Sequence, residues 1–422
     1  MKQALFIFVV LLSLAACKKE EKKWPSSQIS FGTHDSLFST TLNEQRKVWV
    51  YVPEGAAKFP DTKYPVVYLL DGDAHFYSVA GLIHQLSTIN GNTLCPEMIV
   101  VGIPNTDRFR DLTPSHMKEF LGDTMLLRTS GGGENFTKFI ADELIPYIDS
   151  HYPTTPYRTM IGHSLGGLMV INTIVHHPDL FANYLAIDPS LQWDARKLSK
   201  EAEIIFNEKK FNNKFLYVAV ANNMPEGMQL PDLFKDTTYL TDHMRAMLEF
   251  CDKAKSKTID GLTFQSHYYP DDDHGSVPLI AEHNALRAMF AWYRLKGIDK
   301  FFNPNSTTAD ELAQFVITHY KNVSAHYGFE MLPQESLVNS LGYAFMGEHM
   351  PDKARVMFEM NTRNYPRSAN VHDSMGEYYL HQKDTTNAID QFNQALALAD
   401  SPTTRDKLKK LKQISSNKKI DQ

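Results

Sequence analysis

One short segment, Gly-His-Ser-Leu-Gly-Gly at residues 162–167, restricts the fold of this chain more than any other part of its sequence. It follows an apolar run that ends at Ile161 and precedes a stretch of helical character that begins at Leu168. Small residues in the segment let neighbouring backbone approach closely, and the serine between them must occupy a strained turn. The pattern therefore predicts a strand, a tight turn and a helix in direct succession.

Strand-like and helix-like patterns alternate through a first domain that we expect to span residues 28–297. The strand candidates are short and apolar on both faces, and helical periodicity separates most of the later ones. This alternation is typical of a mostly parallel sheet covered by helices on both sides. The predicted strands are 33–41, 46–52, 66–70, 98–103, 157–161, 184–187, 215–221 and 262–269, and the predicted helices are 76–89, 133–150, 165–176, 236–254 and 276–294.

A small all-α domain is predicted near the C-terminus, because small and aromatic residues recur there with the 34-residue period of tetratricopeptide units. We expect a linker with capping helices at 298–335, the repeats at 336–400 and a polar C-terminal tail at 401–422. Two units are few for a free-standing array, so packing against the first domain and a peptide-binding groove for a protein partner are both open roles. The recurring positions are Gly342, Ala354 and Phe358, matched by Gly376, Ala388 and Phe392.

The first 27 residues carry targeting signals rather than parts of the fold. Lys2 precedes an apolar run that is too short to span a membrane, so residues 1–17 predict a signal peptide. The run ends in Leu-Ala-Ala-Cys, which resembles a bacterial lipobox with Cys17 as the lipidated residue; a plain secretory signal with a free Cys17 is the alternative. Residues 18–27 follow as a flexible tether. We therefore expect a protein anchored by lipid in the bacterial cell envelope, at the outer membrane, facing the periplasm or the cell surface.

Charge and cysteine content exclude several classes of partner and site. The formal net charge of −6 argues against nucleic acid as a partner. Cys95 and Cys251 are too few for a disulfide scaffold, and we expect two buried, unpaired thiols. The acidic run at 271–273 lacks the regular spacing of a calcium loop, so it predicts a solvated turn and no metal site. No pattern implies an organic cofactor.

The serine of the opening segment, Ser164, needs a base, because a serine hydroxyl is a poor nucleophile at neutral pH. In a G-x-S-x-G turn of this kind the base comes from a later loop. His274 follows the predicted strand 262–269, precedes a helix and is followed by a glycine, which suits a general base that reaches back to Ser164. His163, beside the serine, is expected to pack or to form a hydrogen bond under the turn rather than to act as the base.

An oxyanion needs preorganised donors, and two backbone N–H groups are candidates. One belongs to Leu165, directly after the serine, and the other to Asp73, in the loop after strand 66–70. Substrate contacts are predicted at Arg108 or Arg110, in a loop where ligands approach an open α/β sheet, and at Trp193 as a wall of the acyl pocket. The alternatives are that Arg110 pairs with a loop carboxylate and that Trp193 belongs to the core.

Three segments together resemble the esterase D family of α/β hydrolases: Leu-Leu-Asp-Gly-Asp at 69–73, the turn at 162–167, and Asp-Asp-His-Gly-Ser-Val-Pro at 272–278. The likeness covers roughly residues 30–297 and is closest to siderophore (enterobactin-type) esterases. It implies an α/β-hydrolase fold, carboxylic ester hydrolysis, Ser164 as nucleophile, His274 as base, and oxyanion donors at Leu165 and Asp73. Because the family also includes feruloyl and acetyl esterases, S-formylglutathione hydrolases and mycolyl transferases, it implies no single substrate.

The acid of the expected triad is where this chain departs from the family. Many relatives place Asp or Glu just after the strand that is 215–221 here, but this chain has two asparagines, Asn222 and Asn223. We expect Glu226 to supply the carboxylate, with Asp232 or Asp242 as weaker candidates. The alternative is a Ser–His dyad, which the siderophore-esterase branch is thought to use, with His274 oriented by Asn222 or by a carbonyl.

The sequence thus predicts a serine ester hydrolase that works through an acyl-enzyme on an ester outside the cytoplasm, of the siderophore type or of the feruloyl or acetyl type. The substrate is expected to be a small molecule or a glycan-linked ester. Two alternatives remain open: an acyltransferase of the same fold, and a hydrolase domain without a functional acid that serves as a binding module.

Overall fold

The computed structural model describes residues 30–57, 62–119 and 124–420. The predicted signal peptide with Cys17, and the tether at 18–27, lie outside the described residues. Within the described part of the chain, no helix is long and apolar enough to cross a membrane. Cys95 and Cys251 are buried and unpaired, as expected.

An eight-stranded sheet forms the centre of the first domain, with the strand order β1-β2-β4-β3-β5-β6-β7-β8. Strand β2 pairs antiparallel with β1 and β4, and all other neighbours pair parallel. The predicted mostly parallel sheet is confirmed, and the fold is that of an α/β hydrolase. The strands are β1 (Thr33–Ser39), β2 (Glu44–Tyr51), β3 (Tyr64–Leu70), β4 (Ile99–Ile103), β5 (Thr154–His163), β6 (Asn183–Ile187), β7 (Lys214–Ala221) and β8 (Leu262–Tyr269).

Helices cover both faces of this sheet. The predicted helix 133–150 consists of α3, a π-helical segment at Phe139–Leu144, and α4. The α-helices of this domain are α1 (Gly72–Ser87), α2 (Arg108–Leu112), α3 (Gly133–Lys138), α4 (Ile145–His151), α5 (Leu165–His176), α6 (Trp193–Glu208), α7 (Leu230–Leu233), α8 (Tyr239–Lys255) and α9 (Val277–Met289).

Alternation along the central strands explains why both faces are covered. Every residue of β3 is buried. Val66, Tyr68 and Leu70 belong to the hydrophobic cluster on one face of the sheet, whereas Val67 and Leu69 belong to the cluster on the other. Successive side chains of a strand point to opposite faces, so an entirely apolar strand requires packing on both.

The C-terminal helices pack onto one of these two faces. The cluster that contains Val67 continues into Val316, Val338 and Phe358 without interruption. The ring centroid of Tyr327 lies 4.7 Å from that of Tyr157. The helices are α10 (Ala309–Tyr327), α11 (Glu335–Gly347), α12 (Pro351–Asn364), α13 (Ala369–His381), α14 (Thr385–Leu398) and α15 (Pro402–Ile420).

Two equivalent glycine contacts recur in these helices at the expected spacing. A Cβ atom on Gly342 would lie 2.7 Å from the Phe358 ring, and one on Gly376 would lie 2.6 Å from the Phe392 ring. Each glycine therefore permits a close helix crossing that alanine would obstruct. The assignment of these helices to tetratricopeptide repeats stays a prediction. The segment expected as a polar tail contains a long helix, α15.

Several polar residues follow strands of the parallel part of the sheet. Asp71 follows β3, Ser164 follows β5, Asp188 follows β6 and Asn222 follows β7, while His274 lies in the loop after β8. Carboxyl ends of parallel strands meet at one edge of the sheet, which is where ligands bind in open α/β folds. The candidate site lies at this edge.

Candidate active site

Ser164 occupies the tight turn that the opening segment predicts. It lies between β5 and α5 with φ 60° and ψ −115°, a conformation that L-residues rarely adopt. The turn requires glycine beside it, because a Cβ atom on Gly162 would lie 2.4 Å from the carbonyl carbon of Gly166. Asp71 and Asp188 follow β3 and β6, the two strands on either side of β5, and they also have positive φ values, 51° and 43°. Three non-glycine residues at this edge of the sheet therefore have positive φ values, which L-residues rarely adopt.

Two helix N-termini meet beside Ser164. Leu165 is the first residue of α5, and Asp73 lies in the first turn of α1. A Cβ atom on Gly166 would lie 3.0 Å from the Asp71 carboxylate, so the starts of α5 and α1 are in contact. Because N–H groups in the first turn of a helix have no partner within that helix, this corner can bind an anion. The assignment of Leu165 and Asp73 as oxyanion donors stays a prediction.

A partly buried ion pair holds the β3 loop against the turn. Arg108 donates from Nε to Asp71 Oδ1 at 2.7 Å and from Nη2 to Asp71 Oδ2 at 3.0 Å. The same Nη2 lies 3.3 Å from the carbonyl oxygen of His163. Asn105 Nδ2 also donates to Asp71 Oδ1, at 2.6 Å. Arg108 thus joins the loop after β3 to the residue that precedes Ser164.

His274 is held by its own loop and by a buried carboxylate. The carboxylate of Asp273 accepts hydrogen bonds from the N–H groups of Gly275 and Ser276, both at 2.9 Å, which shapes the turn. His274 Nδ1 lies 2.5 Å from Asp188 Oδ2. Its ring centroid is 4.4 Å from that of His163, the neighbour of Ser164. The structure therefore brings His274 beside the turn that carries Ser164, and the contact with Asp188 uses Nδ1 of the His274 ring rather than Nε2.

Asp188 is the carboxylate beside His274 that the sequence reasoning missed. Its side chain is 0% exposed, and its oxygens accept hydrogen bonds from four donors. Burial favours the neutral acid, but hydrogen bonds from His243 and His274 outweigh it and hold the pKa of Asp188 well below its usual value. The donors are Ala221 N at 2.8 Å, Asn223 Nδ2 at 2.8 Å, His243 Nε2 at 3.0 Å and His274 Nδ1 at 2.5 Å.

The expectation that Glu226 supplies the carboxylate is wrong. Glu226 is exposed in the loop after β7, and the His274 ring is already paired with Asp188. Asp242 pairs with Arg196 instead. In the sequence, Asp188 directly follows the apolar strand 184–187, which is a signal for a site residue. The family pattern instead places the acid after the next strand.

The asparagines after β7 have a different role from the one considered. Asn223 donates to Asp188, and Asn222 Nδ2 donates to the carbonyl oxygen of Pro270 at 2.9 Å. The backbone N–H of Asn222 also donates to the carbonyl oxygen of Asp272 at 2.8 Å. Asn223 thus holds the Asp188 carboxylate, and Asn222 holds the loop that carries His274.

His163 has the properties of a packed side chain. Burial, with repulsion from His274 and His75, lowers the pKa of His163 to about 4, so the ring is neutral near pH 7. Its buried Nε2 has no hydrogen-bond partner in the described part of the chain. The predicted packing role is consistent with this environment.

Arg110 does not face the site as a substrate ligand would. It donates to Glu44 from Nη2 at 2.6 Å and to Asp111 from Nε at 2.7 Å. Hydrogen bonds from Arg110, only partly opposed by burial, lower the pKa of Glu44 to about 2. The buried Arg46 completes this network through Asp111, at 2.6 Å. The alternative that Arg110 pairs with loop carboxylates is the one the structure supports.

Trp193 is a core residue at the start of α6. It is buried, and its Nε1 donates to the carbonyl oxygen of Ser115 at 3.2 Å. It lines a cavity of 250 Å³ together with Asn172 and His176. These two residues lie about 12 and 18 Å along α5 from Ser164, at a rise of about 1.5 Å per residue. This cavity therefore extends away from Ser164, and the burial of Trp193 supports the alternative that it belongs to the core.

Comparison with known proteins agrees with this geometry. The family model described as "Putative esterase" matches residues 39–246. The ferri-bacillibactin esterase BesA of Bacillus subtilis is 29% identical over 201 residues, which cover 45% of this chain and 69% of that protein. The siderophore enterobactin esterase of Emericella nidulans is 26% identical over 234 residues, 50% of this chain and 77% of that protein.

A solved structure extends the likeness beyond the matched domain. The crystal structure of an IroE-like serine hydrolase from Shewanella oneidensis superposes with a TM-score of 0.67 at 29% identity. It covers 79% of this chain and 99% of that protein. Together these similarities support a carboxylic-ester hydrolase with an α/β-hydrolase fold, resembling the siderophore esterases.

Proposed function

We propose that this chain is a serine esterase that works through an acyl-enzyme, with Ser164 as nucleophile, His274 as base and Asp188 as the acid. The observation that carries the proposal is the hydrogen bond between Asp188 and His274, beside a serine held in a strained turn. The same observation removes the reason for a non-catalytic binding module, because the acid is present one strand away from its expected place.

The reaction begins when Ser164 Oγ attacks the ester carbonyl and His274 Nε2 takes its proton. Asp188 stabilises the imidazolium that forms, and its low pKa keeps it ionised for that purpose. The carbonyl oxygen becomes an oxyanion that the N–H groups of Leu165 and Asp73 bind. When the C–O bond breaks, His274 returns the proton to the leaving alcohol.

Water completes the cycle. His274 Nε2 takes a proton from water as its oxygen attacks the acyl-enzyme, and the second oxyanion uses the same two N–H groups. Collapse of this intermediate releases the acid and returns the proton to Ser164 Oγ. No residue outside the group already named is needed for the proton transfers.

Labelling with a fluorophosphonate probe tests the nucleophile, because the probe modifies only an activated serine. Wild type should be labelled, and Ser164→Ala should not. Ser190 provides a matched control, since its Oγ lies 3.4 Å from Ser164 Oγ. The Ser190→Ala protein should still be labelled. A folded wild type that resists labelling, or a labelled Ser164→Ala protein, contradicts the proposal.

The substrate class we propose is an ester of the siderophore type. Support comes from two relatives that are named as siderophore esterases. The test compares kcat/KM for siderophore, feruloyl and acetyl esters, each with and without an added acceptor alcohol. We expect the siderophore ester to be preferred and the free acid to be the product. A higher value for feruloyl esters, or acyl transfer to the alcohol, would replace this part of the proposal.

We also propose that the protein acts in the cell envelope, anchored by lipid on Cys17. The support is the Leu-Ala-Ala-Cys sequence that ends the leader. Metabolic labelling with a fatty acid in the native host should mark wild type and not Cys17→Ala, and the variant should leave the membrane fraction. Equal labelling of both proteins contradicts the anchor.

A further inference from the structure

Asp188, the proposed acid, is shared by two histidines. Its Oδ2 atom lies 2.5 Å from His274 Nδ1 and 3.0 Å from Nε2 of His243, a residue of α8. These ligand atoms all lie within 4.8 Å of one another. Two imidazole nitrogens and one carboxylate oxygen form a donor set that binds zinc and similar transition metals in preference to calcium or magnesium.

The far side of His243 favours a cation at this position. His243 Nδ1 lies 2.8 Å from Gln192 Oε1, an acceptor. A neutral imidazole carries one N–H, so the His243 ring cannot donate to both Gln192 Oε1 and Asp188 Oδ2 at once. A metal ion on Nε2 would take the place of the hydrogen bond to Asp188 and let Nδ1 donate to Gln192. Hydrogen bonds to the outer nitrogen of a ligating histidine are typical of metal sites.

The two histidine rings make the space beside the Asp188 carboxylate accessible to a metal ion from solvent. Asp188 is fully buried, but the His243 side chain is 20% exposed and the His274 side chain 44% exposed. Tetrahedral zinc places its ligand atoms about 3.3 Å apart, so Asp188 Oδ2 and His274 Nδ1 must separate by about 0.8 Å. His274 lies on a loop and can move by that amount, while Ala221 N–H continues to hold the other oxygen of Asp188.

We propose that Asp188, His243 and His274 form an inhibitory binding site for a divalent transition metal of the zinc type. The metal coordinates His274 Nδ1, and the proton of that nitrogen moves through solvent to Nε2, so the ring stays neutral. With its one proton on Nε2, the ring has no lone pair to accept the proton of Ser164. The consequence for catalysis rests on the proposed function, whereas metal binding itself does not.

Binding is best measured on the Ser164→Ala protein, which keeps all three ligands and lacks the nucleophile. Calorimetric titration with Zn²⁺, and the visible absorption of Co²⁺ in its place, should show one tight site. His243→Gln in the same background should weaken binding at least tenfold. Binding that is absent, or that is unchanged by His243→Gln, overturns the proposal.

His176→Gln is the matched control. His176 Nε2 lies 3.3 Å from a carboxylate oxygen of Glu201 on the surface, a histidine–carboxylate pair that is separate from the Asp188 cluster. Loss of the tight site in this variant would assign the metal to the surface and overturn the proposal. If His243→Gln fails to fold, Gln192→Leu takes its place, with a loss of affinity of about 10- to 100-fold expected for removing the outer hydrogen bond.

Inhibition is measured with wild type and a chromogenic ester. Zn²⁺ should reduce kcat/KM at least tenfold, EDTA should restore it, and the His243→Gln enzyme should need at least tenfold more Zn²⁺ for the same fractional loss. Binding at the site without inhibition overturns the inhibitory role. A wild type that does not hydrolyse esters contradicts the proposed function and leaves the binding result to be judged by itself.

Discussion

The rings of His75, His163 and His274 contact one another in sequence. Two buried carboxyl groups lie at the ends of this row, Glu282 beside His75 and Asp188 beside His274, and their environments are opposite. Asp188 is 0% exposed and accepts four hydrogen bonds. Glu282, on α9, is 1% exposed and lies 3.9 Å from His75, but neither of its oxygens has a hydrogen-bond partner in the described part of the chain. The pKa of Asp188 is lowered, whereas burial raises the pKa of Glu282 to about 8.

The difference shows that burial alone does not decide the charge of a carboxyl group. Both groups lose their hydration, which favours the neutral acid. Donors restore the anion at Asp188, whereas burial is the largest influence on the pKa of Glu282. Near neutral pH only Asp188 is therefore an anion that can stabilise a protonated His274.

Replacing Asp188 by Asn should have the largest effect on catalysis. The corresponding exchange in a serine-protease triad lowers kcat by about 10⁴-fold, because the histidine adopts the wrong tautomer. We expect a fall of similar size in kcat with little change in KM, measured on a chromogenic ester. A loss below tenfold would indicate that His274 works without the carboxylate, as in a dyad.

Glu282→Gln should change stability rather than chemistry. The folded protein holds a proton on Glu282 up to about pH 8, whereas the unfolded chain releases it near pH 4.5, so stability falls as pH rises between these values. The slope from this group is about 1.4 kcal/mol per pH unit. Urea unfolding between pH 5 and 8 should show a steeper decline for wild type than for Glu282→Gln.

The exposed Glu226→Gln is the control for that measurement, since it removes a carboxyl group that no buried site surrounds. Its stability should follow the wild-type curve. Equal slopes for wild type and Glu282→Gln would mean that Glu282 is ionised at neutral pH, and would remove the contrast with Asp188.

Removing one of the four donors to Asp188 should have an intermediate effect. Asn223 Nδ2 donates to Oδ2 at 2.8 Å, and a hydrogen bond to a charged group contributes about 1.5 to 3 kcal/mol. Because His243, His274 and Ala221 N–H remain, we expect Asn223→Ala to lower kcat by about tenfold, toward the small end of that range. A rate equal to wild type would show that three donors saturate the carboxylate.

The smallest expected effect is that of Glu226→Gln on activity. Glu226 is exposed and His274 is paired with Asp188, so kcat should stay within about twofold of wild type. The sequence-based hypothesis predicts a loss of at least a hundredfold instead. The measurement therefore separates the two assignments of the acid directly.

Local patterns in the sequence were sufficient for the strands, the turn at Ser164 and the His274 loop. The turn depends on glycines within four residues of one another, and a Cβ on Gly162 would contact Gly166 directly. The alternation of apolar strands with helices depends on periods of two and of 3.6 residues. Such features depend on residues that are close together in the chain, so they can be predicted without knowledge of the tertiary structure.

Local sequence patterns could not predict which charged and polar side chains pair with each other. Arg110 meets Glu44 across 66 residues, and His274 meets Asp188 across 86. Residues so far apart come together only after the sheet has placed their loops at one edge, where adjacent strands lie about 4.8 Å apart. An acid shifted by one strand can then still reach the histidine, as Asp188 does.

The sequence by itself determined the parallel sheet, the strained turn that carries Ser164 and the loop that carries His274, because each depends on residues near one another in the chain. The tertiary structure decided which carboxylate faces His274, that Arg110 and Trp193 are structural, and that His243 shares Asp188. These depend on which buried groups find donors, and only the packed fold brings donor and acceptor together.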